Sequence, residues 1–153
     1  MTELLDLYTA GPSLLRKAVA GMSHDQLVAR PVPGKWSTLE VVCHLNDFEP
    51  VYSDRFRRVI ALKTPLLMVA DENEYMKFLN PQERDLNEEL AMIEATRVAT
   101  MRLLKTLPAD AWDRFGIHSE SGKKTLTDLL RSAANHIPSH IKFIEDKRKA
   151  MGI

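Results

Sequence analysis

Apolar residues recur along this chain at steps of three and four, and four long segments carry that rhythm. The first spans about Glu3 to Gly21, with Leu4, Leu7, Leu14, Leu15 and Val19 as its apolar members. Pro12 falls inside it and predicts either a kink or the start of its main part. The second begins at Ser37 and reaches Ile60 to Leu62, with Val41, His44, Phe48 and Val51 in register. The third runs from about Leu86 to Leu107 and presents Leu90, Ile93, Arg97, Met101 and Leu104 on one face; Pro108 closes it. The last starts near Thr125 and carries Leu126, Leu129, Leu130, Ala133, Ile137, Ile141 and Ile144, with Gly152 past its end. No long alternation of β-branched and aromatic residues occurs, and no Asn-Gly or Asp-Gly turn. The expected fold class is all-α: a four-helix bundle without strands, in one domain covering residues 1–153.

The boundaries are signalled locally. Ser37 and Glu40 form a capping box, Ser23 and Gln26 match one around a short turn ending near Ala29, and Thr125 with Asp128 resembles a third. The run R-P-V-P-G-K separates the short turn from the second long helix. Residues 63–85 are mixed and predict a loop with short helical pieces. That long connection between the second and third long helices permits a crossover. Residues 108–124 hold Trp112, Phe115, Gly116 and Gly122 and predict an ordered connection.

Composition narrows the function classes. Hydrophobic residues make up 44% and charged residues 27%, as in soluble globular proteins. Twenty-one basic residues balance 21 acidic ones, so no overall field attracts nucleic acid or an anionic membrane. The single cysteine, Cys43, cannot form an internal disulfide and fits a reducing compartment. The opening M-T-E-L-L-D-L-Y has acidic residues where a signal peptide needs positive charge, and no apolar run approaches the ~18 residues of a membrane span. The expected location is the cytoplasm, with a small molecule as partner rather than nucleic acid or membrane.

The candidate chemistry lies in three histidines. His136 and His140 are four apart and share a helix face; His44 lies far upstream on another helix. Each shares a stripe with apolar residues: His44 with Val41, Phe48 and Val51, the pair with Leu129, Ala133 and Phe143. Three inward imidazoles without partners would cost ~1–3 kcal/mol for each unsatisfied group. A shared divalent ion removes that cost and leaves a coordination position open, as in catalytic three-ligand sites. A shared hydrogen-bond network is the alternative. The H-E-x-x-H protease arrangement is excluded, since Ile137 follows His136. Pro138 lies between the paired histidines. It predicts a kink that retains the pairing, against a break that would separate them.

Other residues are secondary candidates. Glu40 lies one turn before His44 and is a candidate acceptor or proton shuttle, although its capping role explains it as well. Asp47 and Asn135 are candidates for orienting an imidazole. Cys43 is expected to pack, Trp36 and Met68 to line a pocket or the core, His24 and His118 to lie at the surface, and the basic C-terminal run to be solvated.

The stretches G-K-W-S-T-L-E-V-V-C-H-L-N-D and S-G-K-K-T-L-T-D-L-L-R-S-A-A-N-H-I-P-S-H-I-K-F-I together resemble the DinB/YfiT-like metalloenzyme superfamily. The order and spacing of these motifs match over essentially the whole chain. The resemblance implies a four-helix bundle holding a divalent metal, typically zinc or nickel, with His44, His136 and His140 as ligands. It implies thiol S-transfer, isomerisation or hydrolysis as activity classes, and frequent homodimers. The leading expectation is a metal-dependent enzyme acting on a small molecule, a thiol S-transferase using a low-molecular-weight thiol, or a hydrolase. The alternative is a non-catalytic binding or dimerisation module with a structural or vestigial metal. The absence of a second conspicuous acid or base favours thiol transfer over hydrolysis.

Overall fold

The computed structural model describes Met1–Ile153 and contains six α-helices and three short strands. Four long helices form the bundle: α1 Thr2–Val19, α3 Thr38–Ala61, α5 Leu86–Leu104 and α6 Leu126–Met151. In the bundle α1 packs against α5 and α6, and α3 packs against the same two from the other side. The short α2, His24–Val28, follows α1 and packs on α3. Capping boxes start α2 at Ser23, α3 at Ser37 and α6 at Thr125, each satisfying backbone donors reciprocally. Gly152 ends α6 in the left-handed conformation, at φ +72°.

Residues 62–85 are the long connection between α3 and α5. They hold strand β1, Leu66–Leu67, helix α4, Glu72–Phe78, and a 3-10 turn at Pro81–Glu83. The expectation of a strand-free bundle is corrected here. Strands β2, Phe115–His118, and β3, Gly122–Thr125, form an antiparallel hairpin, and β1 pairs parallel with β2 through Leu66↔Ile117 and Leu67↔His118. The segments of two and four residues are too short to show alternation. The hairpin turns on three residues closed by Gly122 at φ +71°, instead of an Asn-Gly pair. Gly116 lets β1 approach, since a Cβ there would lie 2.9 Å from both the Leu67 side chain and the Pro65 carbonyl.

Two apolar clusters fill the bundle. One gathers Leu15, Val19, Val41, Leu45, Ile93 and Ile137; the other gathers Phe56, Val59, Met101, Leu126 and Leu130. A buried polar network touches all four long helices. Arg97 donates from Nε to Glu49 Oε1 at 2.7 Å, from Nη1 to the Tyr8 carbonyl at 2.8 Å and from Nη2 to the Ala133 carbonyl at 3.0 Å. Tyr8 donates to Glu49 Oε2 at 3.2 Å. Tyr8 is also the residue whose carbonyl loses its helical donor to Pro12, four positions on. Arg97 supplies the missing N–H, and α1 continues through Pro12. Gly11 makes this possible: a side chain there would collide with the Arg97 guanidinium. The basic C-terminal run is not uniformly solvated, because Lys147 turns inward and is 2% exposed.

Candidate metal centre

The three histidines meet between α3 and α6. The Ser37–Glu40 box fixes where α3 begins, and His44 then falls on its buried face. Helix α6 runs unbroken through Pro138, so His136 and His140 keep their common face. The Nε2 atoms of His44 and His136 are 3.0 Å apart. Ring centroids stand 4.9 Å apart for His44 and His136, and 4.7 Å for His140 from each of the others. One ring nitrogen from each residue lies within 4.8 Å of the other two. A tetrahedral ion with bonds of ~2.1 Å holds its nitrogens ~3.4 Å apart, so side-chain adjustment of about 1 Å brings the three into range.

Burial pushes the His44 imidazole down to about 4 and His136 down to about 2, with neighbouring histidines adding to both; burial lowers His140 as well. All three are therefore neutral near pH 7, the form that ligates metal. Nδ1 of His44, Nδ1 of His136 and both ring nitrogens of His140 are buried without a hydrogen-bond partner. Four orphaned nitrogens in one small volume are costly, and a shared ion relieves part of that cost. The donor set suits a borderline-soft divalent metal.

Aromatic rings wall this group. Trp36 and Phe48 flank His44 at 5.2 and 4.6 Å, Tyr52 flanks His136 at 5.5 Å, and Phe143 flanks His140 at 5.4 Å. Tyr75, carried by α4, packs on Phe48 at 5.8 Å, so the long connection covers the site. Helical period puts Phe48 and Phe143 on the histidine stripes and leaves Trp36 a pocket or core residue, but Tyr52 and Tyr75 went unremarked. Tyr52 was findable: it lies eight positions after His44 and four after Phe48, on the same helical face.

The proposed orienting residues are engaged elsewhere. Glu40 accepts from the Ser37 N–H at 2.6 Å and from Arg30 Nε at 2.9 Å. Asp47 binds Arg84 through both oxygens, at 2.9 and 3.0 Å. Asn135 is exposed and donates to the Arg131 carbonyl at 2.9 Å. None of the three hydrogen-bonds an imidazole. Cys43 is fully buried, burial pushes its thiol up to about 12, and it packs with its sulfur 3.4 Å from the Pro81 carbonyl. Met68 is exposed and lines a separate cavity with Arg55. His24 is exposed; half-buried His118 accepts from the hairpin N–H groups of Glu120 and Ser121.

Fold and donor set together define a helical bundle with a three-histidine site of metal-binding geometry. The DinB superfamily model matches residues 7–144, and the chain belongs to that family. A Bacillus licheniformis protein named "putative metal-dependent hydrolase" is 27% identical over 142 residues, covering 92% of this chain and 81% of its own. The solved structure of YfiT from Bacillus subtilis, described as having an unusual four-helix bundle topology, superposes with a TM-score of 0.92 at 25% identity. The match covers 99% of this chain and 87% of YfiT. A mycothiol-dependent maleylpyruvate isomerase shares the fold, with a TM-score of 0.73 at 12% identity over 92% of this chain and 59% of that one. No helix is long and apolar enough to cross a membrane.

Proposed function

We propose that this chain is a metal-dependent enzyme acting on a small molecule, with zinc or nickel held by His44, His136 and His140. The observation that carries this reading is the convergence of three neutral imidazoles, His44 buried and His136 and His140 half-buried, with four of their six ring nitrogens buried and without a partner. When bound, a divalent ion supplies Lewis-acid polarisation that lowers the pKa of a thiol or water ligand. The chain's own residues do the rest. The imidazoles fix the position, and Trp36, Phe48, Tyr52 and Phe143 restrict water around it. The relatives' names support hydrolysis. The absence of any carboxylate hydrogen-bonded to the imidazoles supports transfer of a low-molecular-weight thiol, which needs no separate base once the thiol is ionised. On this reading the enzyme works in the cytoplasm as a homodimer, with neither nucleic acid nor membrane as partner.

The test is metal analysis of untagged protein after supplementation with zinc or nickel. The expected result is roughly one equivalent, lost in His44→Ala. Less than about 0.1 equivalent in the native chain would overturn the reading. Assays with thiol plus electrophile, and separately with esters and amides, then decide the reaction. A protein that holds metal and turns over nothing in either panel is the non-catalytic module.

A further inference from the structure

Lys147 is a buried charge with no carboxylate in ion-pair range; Asp146 and Glu40 act on it only from a distance. Lys147 lies on α6 seven positions after His140 and is 2% exposed. Its ammonium donates to the Phe143 carbonyl of its own helix at 2.9 Å and takes part in none of the chain's ion pairs. Lysine is almost never buried to this degree unless it is paired, and desolvating an ammonium against one carbonyl is expensive. Burial accordingly lowers its pKa.

The same side chain lines a cavity of about 360 Å³, within the range of small-molecule sites. Val32, Val41, Trp36 and Phe143 give the cavity apolar walls, and Lys35 adds a second cation. Asp146 also lines it, but is exposed, so its charge is screened by solvent; the buried Glu40 acts on Lys147 as well, but its carboxylate is already held by Arg30 and the Ser37 N–H. Two wall residues face the histidines as well: Trp36 lies 5.2 Å from His44 and Phe143 lies 5.4 Å from His140, centroid to centroid. A molecule seated here is one aromatic ring away from the imidazole group.

We propose that this cavity binds the carboxylate or phosphate group of a small, partly apolar substrate, with Lys147 as the buried counter-ion and Lys35 assisting. An oxyanion supplies the direct ionic partner that Lys147 lacks, and the apolar walls select an aryl or alkyl body. The assignment of the bound molecule as substrate rests on the reading of the histidines as a reaction centre. The anion site itself rests on Lys147 and the cavity.

Trp36 reports occupancy by fluorescence. The probes are phenyl phosphate and benzoate, with benzyl alcohol as the uncharged control, titrated into the protein as purified and again after chelation of metal. The expected result is saturable quenching by both anions under both conditions, and affinity for benzyl alcohol at least about tenfold weaker. Lys147→Met keeps most of the side-chain volume and removes the buried charge; it should stay folded and lose about tenfold or more in anion affinity. Equal affinity for anion and alcohol in the native chain overturns the proposal without any variant, as does unchanged anion binding in folded Lys147→Met. Anion binding that vanishes on chelation places the anion on the metal and also overturns it. Metal content is measured independently on the native chain, so failure of the metal reading leaves the chelated titration able to stand or fall alone.

Discussion

The Nε2 atoms of His44 and His136 stand 3.0 Å apart although 92 residues separate them in sequence. Two neutral imidazoles at this distance can share only one proton, which leaves His140 outside the arrangement with both nitrogens unpaired. A single ion would engage all three residues at once. The three positions come from two helices that pack directly on each other, so the site depends on the α3–α6 contact rather than on a loop. That rigidity suits a group that must hold fixed geometry through a reaction.

Metal should therefore stabilise the fold measurably. An ion present at about a hundred times its dissociation constant adds ~2.7 kcal/mol. For a chain of this size that is a rise in Tm of about 5–10 °C. Differential scanning fluorimetry of chelated and refilled protein should show this difference, and His44→Ala should show none. A Tm indifferent to both chelation and refilling would count against the histidines as ligands.

The Arg97–Glu49 pair is the second place where one change should be costly. Arg97→Met leaves Glu49 buried at the bundle centre without its cation, and strips donors from the Tyr8 and Ala133 carbonyls. A loss of ~3–5 kcal/mol is expected in urea denaturation. Adding Glu49→Gln removes the stranded charge and should recover a substantial part of that loss. A double variant as unstable as Arg97→Met alone would show that the charge is not what matters.

Much of this arrangement was legible in the sequence, for identifiable reasons. Helical period placed His44, His136 and His140 on inward stripes, and it placed Arg97 on one with Leu90, Ile93 and Met101. The capping boxes fixed three helix starts because their signal is local. What escaped depended on long-range pairing. Strand β1 exists only because Leu66 meets Ile117, a partner some fifty residues away. Lys147 was read with its basic neighbours as solvated, yet it stands three positions after the buried Ile144 and turns inward with it. Glu49 went unnoticed because its reason is Arg97, on a different helix. Glu40, Asp47 and Asn135 were drawn toward the histidines by proximity in sequence, but partners elsewhere hold them.

Acid stability should carry the signature of Glu40. Burial alone would raise its carboxyl, but the Arg30 guanidinium and the Ser37 N–H reverse this and hold it below its ordinary 4.5. A depressed folded-state pKa contributes stability that is present above the unfolded value and is lost as pH falls through the folded one. Glu40→Gln keeps a capping side chain but not the charge. The native chain should exceed this variant by ~1 kcal/mol at neutral pH, and the gap should close below about pH 4.5. A gap constant down to pH ~3 would mean that the ionised carboxylate is not responsible.

Pro138 interrupts neither α6 nor the histidine pair, so its removal should affect stability and leave the site intact. Pro138→Ala restores an N–H toward the Ala134 carbonyl. It should stabilise the chain by up to ~3 kcal/mol while metal content stays the same. Loss of metal from a more stable variant would show instead that the proline shapes the ligand geometry.

Pro12 offers the sharper test of how a helix tolerates proline. Its missing N–H would have bonded the Tyr8 carbonyl, which Arg97 Nη1 now reaches at 2.8 Å. The two residues are therefore energetically coupled. In the native chain, Pro12→Ala adds a donor to a carbonyl that already has one, so the gain is limited to the relief of helix strain. In the Glu49→Gln/Arg97→Met background the carbonyl is buried and unpaired, and the same substitution satisfies it. The gain there should exceed the gain in the native chain by ~1–3 kcal/mol, the cost of one orphaned acceptor. A thermodynamic cycle by urea denaturation reads that difference directly. Equal gains in both backgrounds would show that the guanidinium is not what carries α1 through its proline.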